Sequence, residues 1–375
     1  MLQNRSYRII IAGGGTGGHI FPAIAIANEL KRQLPDVEIL FVGANGRMEM
    51  RLVKDAGYDI KGITISGLQR KISFKNLLSN LRLPFVYWKS LQDAKNILLN
   101  FQPDAVVGVG GYVSAPVLKS AIKIQIPTLI QEQNSYPGIT NKMLSKDVGR
   151  ICVAYSGLER FFPAQKIVIT GNPVRNFIVE KSVQKSEALQ YFGLQEGKKT
   201  IAITGGSLGA KTINEAIENC VNELINNDLQ LIWQTGNAFY QSLPQNIRQL
   251  PNIYVSEFIK EMDYLYAAAD VIVSRAGALS VSELCIAGKP CVLVPSPNVA
   301  EDHQTKNARF LSDCGAAILL PDEKTATELK NILLTLLANE NKLKNMEQNL
   351  LKLALPNAAE KIVNEIIKLI QENDK

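Results

Sequence analysis

Histidine is scarce in this 375-residue chain: there are 2, His19 and His303, so histidine chemistry is confined to two positions. Cysteine offers little more. The 5 cysteines, Cys152, Cys220, Cys285, Cys291 and Cys314, are odd in number and scattered, without a CxxC pair. That argues against a disulfide framework and against a zinc site, and suits a reducing cytoplasm. No run of about 18 uncharged apolar residues occurs, so no segment is expected to span a membrane. The first strand-like run begins within ten residues of Met1, and no signal peptide is expected. Low-complexity segments are lacking, and no Asp-x-Asp pair stands at the end of a strand-like run, so a metal is not expected. The net charge of +6 is compatible with an anionic substrate or membrane surface and is far too weak to argue for nucleic acid.

What is present reads as globular: 46% hydrophobic and 20% charged residues. The length exceeds one ordinary core and suits two domains. Three glycine-rich loops follow strand-like apolar runs. They are Gly-Gly-Gly-Thr-Gly-Gly-His at 13–19, Gly-Val-Gly-Gly at 108–111 and Gly-Gly-Ser-Leu-Gly-Ala at 205–210. A glycine loop between strand and helix lets a ligand approach the backbone, and the helix N-terminus offers unpaired N–H groups to an anion. Two such loops half a chain apart predict two similar domains, each contributing a ligand-binding edge to one cleft.

The spacing predicts strands at 9–12, 37–42, 105–107, 128–131, 150–153 and 167–170, with helices at 22–33 and 48–56. After Gly171-Asn172-Pro173 the pattern weakens, and the polar stretch 180–186 reads as a linker. It restarts with strands at 200–204, 230–234, 253–255, 271–274 and 291–294, and helices at 212–225, 262–268 and 280–287. Residues 358–370 form an amphipathic helix with Ile362, Ile366, Ile367 and Ile370 on one stripe. The alternation predicts α/β domains built on parallel sheets wrapped by helices.

Two nucleotide-binding motifs fit poorly. A dinucleotide fingerprint wants a carboxylate at the end of the second strand, where Val42-Gly43-Ala44-Asn45 stands. A phosphate-binding NTPase loop wants Gly-Lys-Ser/Thr, which neither the first nor the third loop supplies. His19, just past the first loop, reads either as a capping residue or as an acid/base or phosphate contact. His303 lies in Glu301-Asp302-His303-Gln304-Thr305-Lys306-Asn307, read as an exposed polar loop or as a ligand-binding loop after a strand. In Ser274-Arg275-Ala276-Gly277-Ala278-Leu279-Ser280-Val281-Ser282-Glu283 a strand runs into a small-residue turn and a helix, with Glu283 expected in its first turn. That carboxylate either caps the helix or accepts hydrogen bonds from a ribose.

These motifs resemble the MurG family of peptidoglycan N-acetylglucosaminyltransferases. The resemblance rests on Gly-Gly-x-Thr-Gly-Gly-His-x-x-Pro, Gly-Gly-Tyr-Val-Ser-x-Pro at 110–116, Glu132-Gln133-Asn134, Gly171-Asn172-Pro173-Val174-Arg175, the third loop and 274–283, in family order over nearly the whole chain. It implies the GT-B fold, two Rossmann-like domains with the active site in the cleft between them. The implied division is 1–176 for the acceptor and membrane, 177–356 for UDP-N-acetylglucosamine (UDP-GlcNAc), and a helix at 357–375 returning to the first domain. It also implies transfer of N-acetylglucosamine from UDP-GlcNAc to the 4-hydroxyl of lipid I (N-acetylmuramyl-pentapeptide pyrophosphoryl-undecaprenol), with inversion, at the cytoplasmic face of the bacterial membrane. No cofactor and no metal are implied, and partners are implied among proteins of cell-wall synthesis or division.

The resemblance assigns residues as follows. Glu283 holds the ribose, with Ala278, Leu279, Ser280, Val281 and Ser282 around it, and the backbone at Ile259 reads uracil. Ser207 and Arg175 serve the diphosphate, and Gln304 and Asn307 the sugar hydroxyls. Thr16, Gly17, Gly18 and Asn134 close on the donor sugar. Gly14, Gly15, Gly110, Gly111 and Tyr112 suit the acceptor pyrophosphate, and His19 is the candidate base. Leu208 departs from the family, where Gln is common. A different glycosyltransferase of the same fold and an inactive sugar-nucleotide binding protein are the competing readings.

The segment 70–96 carries Phe74, Leu77, Leu78, Leu81, Phe85 and Trp88 at helical spacing, interleaved with Arg70, Lys71, Lys75, Arg82 and Lys89. Such a stripe alone reads as a core helix. With a lipid-linked acceptor it reads as a docking face for an anionic inner-leaflet membrane surface, through Leu77, Leu81, Phe85 and Trp88.

Overall fold

A computed structural model describes residues 6–65, 83–174, 183–206 and 208–373. The chain divides into two compact units, Met1–Val174 with Asn357–Lys375, and Arg175–Pro356.

The first unit is built on seven parallel strands in the order β3-β2-β1-β4-β5-β6-β7. These are β1 (Arg8–Ala12), β2 (Glu38–Ala44), β3 (Asp59–Ile63), β4 (Ala105–Gly108), β5 (Thr128–Glu132), β6 (Arg150–Val153) and β7 (Ile167–Ile169). Strand β1 is apolar from Ile9 to Ala12 because both sheet faces are covered there. Ile9 and Ile11 pack with Ile26 and Leu30 of the helix Gly17–Gln33, and Ile10 packs on the opposite face with Leu98 and Leu118. The terminal helix Ala358–Asn373 lies on the same face as Gly17–Gln33, adding Ile362, Val363, Ile366 and Ile370 to that cluster.

The helix Gly17–Gln33 begins five residues before the start expected at Pro22, which sits inside it. The glycines and the proline hid its first turn. The edge strand β3 escaped prediction because Asp59 and Lys61 interrupt its apolar pattern.

The second unit has six parallel strands in the order β10-β9-β8-β11-β12-β13. They are β8 (Lys199–Thr204), β9 (Leu229–Gln234), β10 (Ile253–Ser256), β11 (Val271–Ser274), β12 (Cys291–Leu293) and β13 (Ile318–Leu319). Trp233 is fully buried, and its indole N–H donates to Asn214 Oδ1 at 3.0 Å. The helix Lys185–Tyr191 begins within the stretch read as a linker. Of the stretch 301–307, read as a polar loop or a ligand-binding loop, residues 303–307 open the helix His303–Asp313.

Both sheets reverse strand order beside their first strand, between β1 and β4 and between β8 and β11. Loops leaving the C-terminal ends of such strands diverge to either side and leave a crevice. The first two glycine loops leave β1 and β4, and the third leaves β8. Among the described residues no helix is long and apolar enough to cross a membrane.

Candidate functional site

At the first switch point the loops are in contact, and glycine is what permits it. A Cβ on Gly13 would lie 2.2 Å from Val109 Cγ2, and one on Gly111 would lie 2.4 Å from the Gly14 carbonyl oxygen. Tyr112 stands over Gly15. Ser114 stitches the two loops, its hydroxyl 2.9 Å from the carbonyl oxygens of both Ala12 and Gly110.

His19 is the third residue of its helix, so it is not the N-cap; that position is Thr16, in extended conformation. Its Nδ1 lies 3.0 Å from the Gly14 carbonyl oxygen and 3.3 Å from Thr16 Oγ1. A carbonyl only accepts, so Nδ1 carries the proton and Nε2 the lone pair. A Cβ on Gly110 would lie 2.9 Å from Nε2. Burial pushes the His19 pKa below its ordinary value, against the Gly14 hydrogen bond and the charges of Glu132 and Glu49, which raise it. The ring is thus held neutral near pH 7, the state a base requires.

Not all loop N–H groups face outward. Gly13 donates to the Val42 carbonyl, Gly15 to Glu49 Oε2 and Gly110 to Ser114 Oγ. The helix N-terminal N–H groups of Gly17 and Gly18 meet no protein acceptor among the described residues, which leaves them to an anion.

Asn134 is placed by Glu132. This buried carboxylate accepts from the Asn134 N–H at 3.0 Å and its Nδ2 at 3.1 Å, and from Gly138 N–H and Asn141 Nδ2 at 3.1 and 2.8 Å. Gln133 donates to the Val109 carbonyl at 2.7 Å and to Gln131, and Gln131 donates to Asn172 at 2.9 Å. The second glycine loop is thereby tied to the Gly-Asn-Pro turn.

At the second switch point, Gly209 packs on Thr235 and Gly236 on Leu208, so closely that a Cβ on Gly209 would lie 1.9 Å from the Thr235 carbonyl oxygen. Leu208 itself is 90% exposed. Gln234, at the end of β9, joins three segments. Its Nε2 donates to Thr204 Oγ1 at 3.3 Å and to the Gly206 carbonyl at 3.0 Å, and its Oε1 accepts from Ile259 N–H at 2.9 Å. The Ile259 N–H is therefore engaged, and its carbonyl is the backbone group left for a base edge.

The helix Ala278–Ala287 has Gly277 as N-cap, and Glu283 lies in its second turn rather than its first. The capping reading fails on that geometry. Glu283 is buried and accepts from the Tyr266 hydroxyl at 2.9 Å. The N–H groups of Leu279 and Ser280 meet no protein acceptor among the described residues, and Val281 turns its side chain into the core. Ser282 Oγ donates to the Ala278 carbonyl. Gln304 Oε1 accepts from Ser296 N–H at 2.9 Å, and the buried Asn307 donates to the Ala276 carbonyl at 3.3 Å. Both side chains thus also shape the loops after β11 and β12.

Arg175, Ser207, Leu77 and Leu81 lie outside the described residues. Phe85 and Trp88, on the helix Leu83–Phe101, are 69% and 57% exposed, with rings stacked at 6.3 Å. Glu49 and Gln234 were missed from sequence. A polar residue closing an apolar strand could have pointed to Gln234, whereas nothing local marks Glu49.

Glycine loops at the switch points of two Rossmann-like sheets define an α/β protein of the kind that binds nucleotide ligands at these crevices. Residues 9–153 match the glycosyltransferase family 28 N-terminal domain, and residues 200–363 the family 28 C-terminal domain. The chain belongs to glycosyltransferase family 28, within the MurG family of that class. It is 52% identical to the UDP-N-acetylglucosamine–N-acetylmuramyl-(pentapeptide) pyrophosphoryl-undecaprenol N-acetylglucosamine transferase of Bacteroides thetaiotaomicron, over 98% of this chain and 99% of that one. To the protein so named from Cytophaga hutchinsonii it is also 52% identical, over the full length of both. The crystal structure of Acinetobacter baumannii MurG superposes with a TM-score of 0.77 at 32% identity, covering 97% of this chain and 100% of that one.

Proposed function

We propose that this chain transfers N-acetylglucosamine from UDP-GlcNAc to the muramyl 4-hydroxyl of lipid I, with inversion, giving lipid II. The observation that carries the reading is full-length similarity, at 52% identity, to proteins whose name states that transfer. The geometry at both switch points supports it. In this reading His19 Nε2 takes the proton of the 4-hydroxyl as its oxygen attacks the anomeric carbon. The bond from that carbon to the diphosphate breaks, and its electron pair leaves on UDP. Backbone N–H groups at the second unit's helix N-termini, with Ser207 and Arg175, stabilise that charge. Glu283 accepts from the ribose, Ile259 meets uracil through its carbonyl, and Gln304 and Asn307 serve the sugar. Thr16, Gly17, Gly18 and Asn134 close on the donor sugar. The acceptor pyrophosphate lies against the loops at Gly14, Gly15, Gly110, Gly111 and Tyr112 and takes the N–H groups of Gly14, Gly111 and Tyr112, those of Gly15 and Gly110 being held by Glu49 and Ser114. The first-unit segment 1–176 with 357–375 serves acceptor and membrane, and 177–356 serves the donor. We place the enzyme peripherally on the cytoplasmic leaflet, near cell-wall and division proteins.

The test is UDP release from UDP-GlcNAc with and without a short-chain lipid I analogue, in excess EDTA. Acceptor-dependent release unaffected by EDTA is expected. Release with a diacylglycerol acceptor but not the lipid I analogue would make the chain another glycosyltransferase. No release with either would make it a binding protein, and activity restored only by Mg²⁺ would make the chemistry metal-dependent.

A further inference from the structure

The peptide group between Gly14 and Gly15 is gripped from both ends. Its carbonyl oxygen lies 3.0 Å from His19 Nδ1, and its N–H donates to Glu49 Oε2 at 3.2 Å. Glu49 is fully buried, and its other oxygen accepts from Ala44 N–H at 3.1 Å. The space it occupies is made by glycine. A Cβ on Gly14 would lie 2.2 Å from Glu49 Oε1, and one on Gly43 would lie 2.7 Å from Glu49 Cγ. A buried carboxylate is costly unless hydrogen-bonded, and here one of its two N–H donors belongs to the ligand-facing loop.

We infer that Glu49 is a positioning residue for His19, acting through the Gly14–Gly15 peptide group. The inference rests on the reading of His19 as the base. Carboxylate, amide and imidazole form a chain in which each hydrogen bond polarises the next. A negative oxygen on the amide N–H makes the same amide's carbonyl a stronger acceptor. That carbonyl fixes the proton on Nδ1 and so leaves Nε2 as the basic nitrogen. The carboxylate also sets the loop's height under the ligand, because Gly15, at φ +86°, is bonded to it directly. Two charged groups act on the ring, Glu49 and Glu132, and both favour its protonated form against burial. Removing the Glu49 charge therefore lowers the His19 pKa further.

Two histidines in the chain make this directly readable. The ring-proton NMR titrations of the full-length protein can be assigned by the signal that His19→Ala removes. In Glu49→Gln, which keeps size and an acceptor, the His19 titration should move down by about 0.5–1 pH unit, the size of one charge at intermediate dielectric. The Nδ1–H tautomer signature should weaken. The acidic limb of kcat should follow the same direction, with kcat reduced several-fold and the KM for UDP-GlcNAc within about twofold. Glu49→Asp keeps the charge but draws it back from Gly15, and should move the titration down by less. A folded Glu49→Gln protein, or a Glu49→Asp protein, whose His19 titration stays at the wild-type value would overturn the inference. An acidic limb that survives His19→Ala would instead overturn His19 as base and leave the titration result intact.

Discussion

Glu283 shows how one side chain can be separated from its neighbours. Its carboxylate lies buried in the second helical turn and holds the Tyr266 hydroxyl. Glu283→Ala should cost about 1.5–3 kcal/mol of transition-state binding, roughly ten- to a hundredfold in kcat/KM for UDP-GlcNAc. Tyr266→Phe removes the hydroxyl that Glu283 holds, keeps the carboxylate, and should leave kcat/KM within a few-fold. Equal losses in the two variants would mean that the carboxylate merely organises the helix. His19 makes two further statements. If it is the base, His19→Ala should lower kcat by about 10²–10⁴-fold and abolish the acidic limb of the pH profile. Its depressed pKa also couples to folding. The unfolded imidazole binds a proton near its ordinary value of about 6.5, while the folded ring resists until lower pH. Stability from this group is therefore full above that value and is lost as pH falls from it toward the folded pKa. The fall in Tm between about pH 7 and 5.5 should be smaller in His19→Ala than in wild type. Identical pH slopes would show that the ring is not buried in its neutral form.

The terminal helix Ala358–Asn373 lends the first unit a whole stripe of its core. Ile366 is fully buried there, and Ile366→Ala should destabilise by about 2–5 kcal/mol, read by denaturant unfolding. A change under about 0.5 kcal/mol would mean that the stripe is not packed. This helix was legible because its apolar residues repeat at the helical period without interruption. Strands β1, β8 and β11 were legible for a related reason: buried on both faces, they carry apolar runs at residues 9–12, 201–203 and 271–273. Of the four edge strands, β7 and β10 were legible and β3 and β13 were not. Strand β13 is two residues long, and β3 carries charge toward solvent. The helix His303–Asp313 was misread because residues such as Gln304 and Asn307, which hold neighbouring loops, break its apolar stripe. The glycine loops were legible as strand-to-helix turns because the glycines cluster directly after apolar runs, whereas the contacts that demand them, Gly13 with Val109 and Gly111 with Gly14, join segments far apart in sequence. Glu49 and Gln234 were not, because their work is done on backbone groups 34 and 25 residues away.

For the molecule as a whole, the proposed function requires that it meet a lipid-borne acceptor. Its net charge is +6, and no described helix can cross a bilayer. Under the proposed function a peripheral surface does the anchoring, and the helix Leu83–Phe101 is our candidate for it. Its stacked Phe85 and Trp88 leave most of their ring area to water, which costs free energy unless something apolar covers them. Lys89 lies beside them on the exposed side. Aromatic rings inserted at the headgroup level and lysines drawn by anionic lipid act together, the second screened by salt. Replacing Phe85 and Trp88 with Ser removes the apolar part alone. Co-sedimentation with vesicles containing phosphatidylglycerol should fall by about tenfold or more, since two aromatic side chains contribute a few kcal/mol when buried. Turnover of a soluble short-chain acceptor should stay near wild type, because neither ring belongs to the loops at the switch points. Raising salt should weaken wild-type binding further, by the charge contribution. Vesicle binding unchanged in the double variant would remove this helix as the anchor, and loss of turnover on the soluble acceptor together with a lowered Tm would return both rings to a structural role.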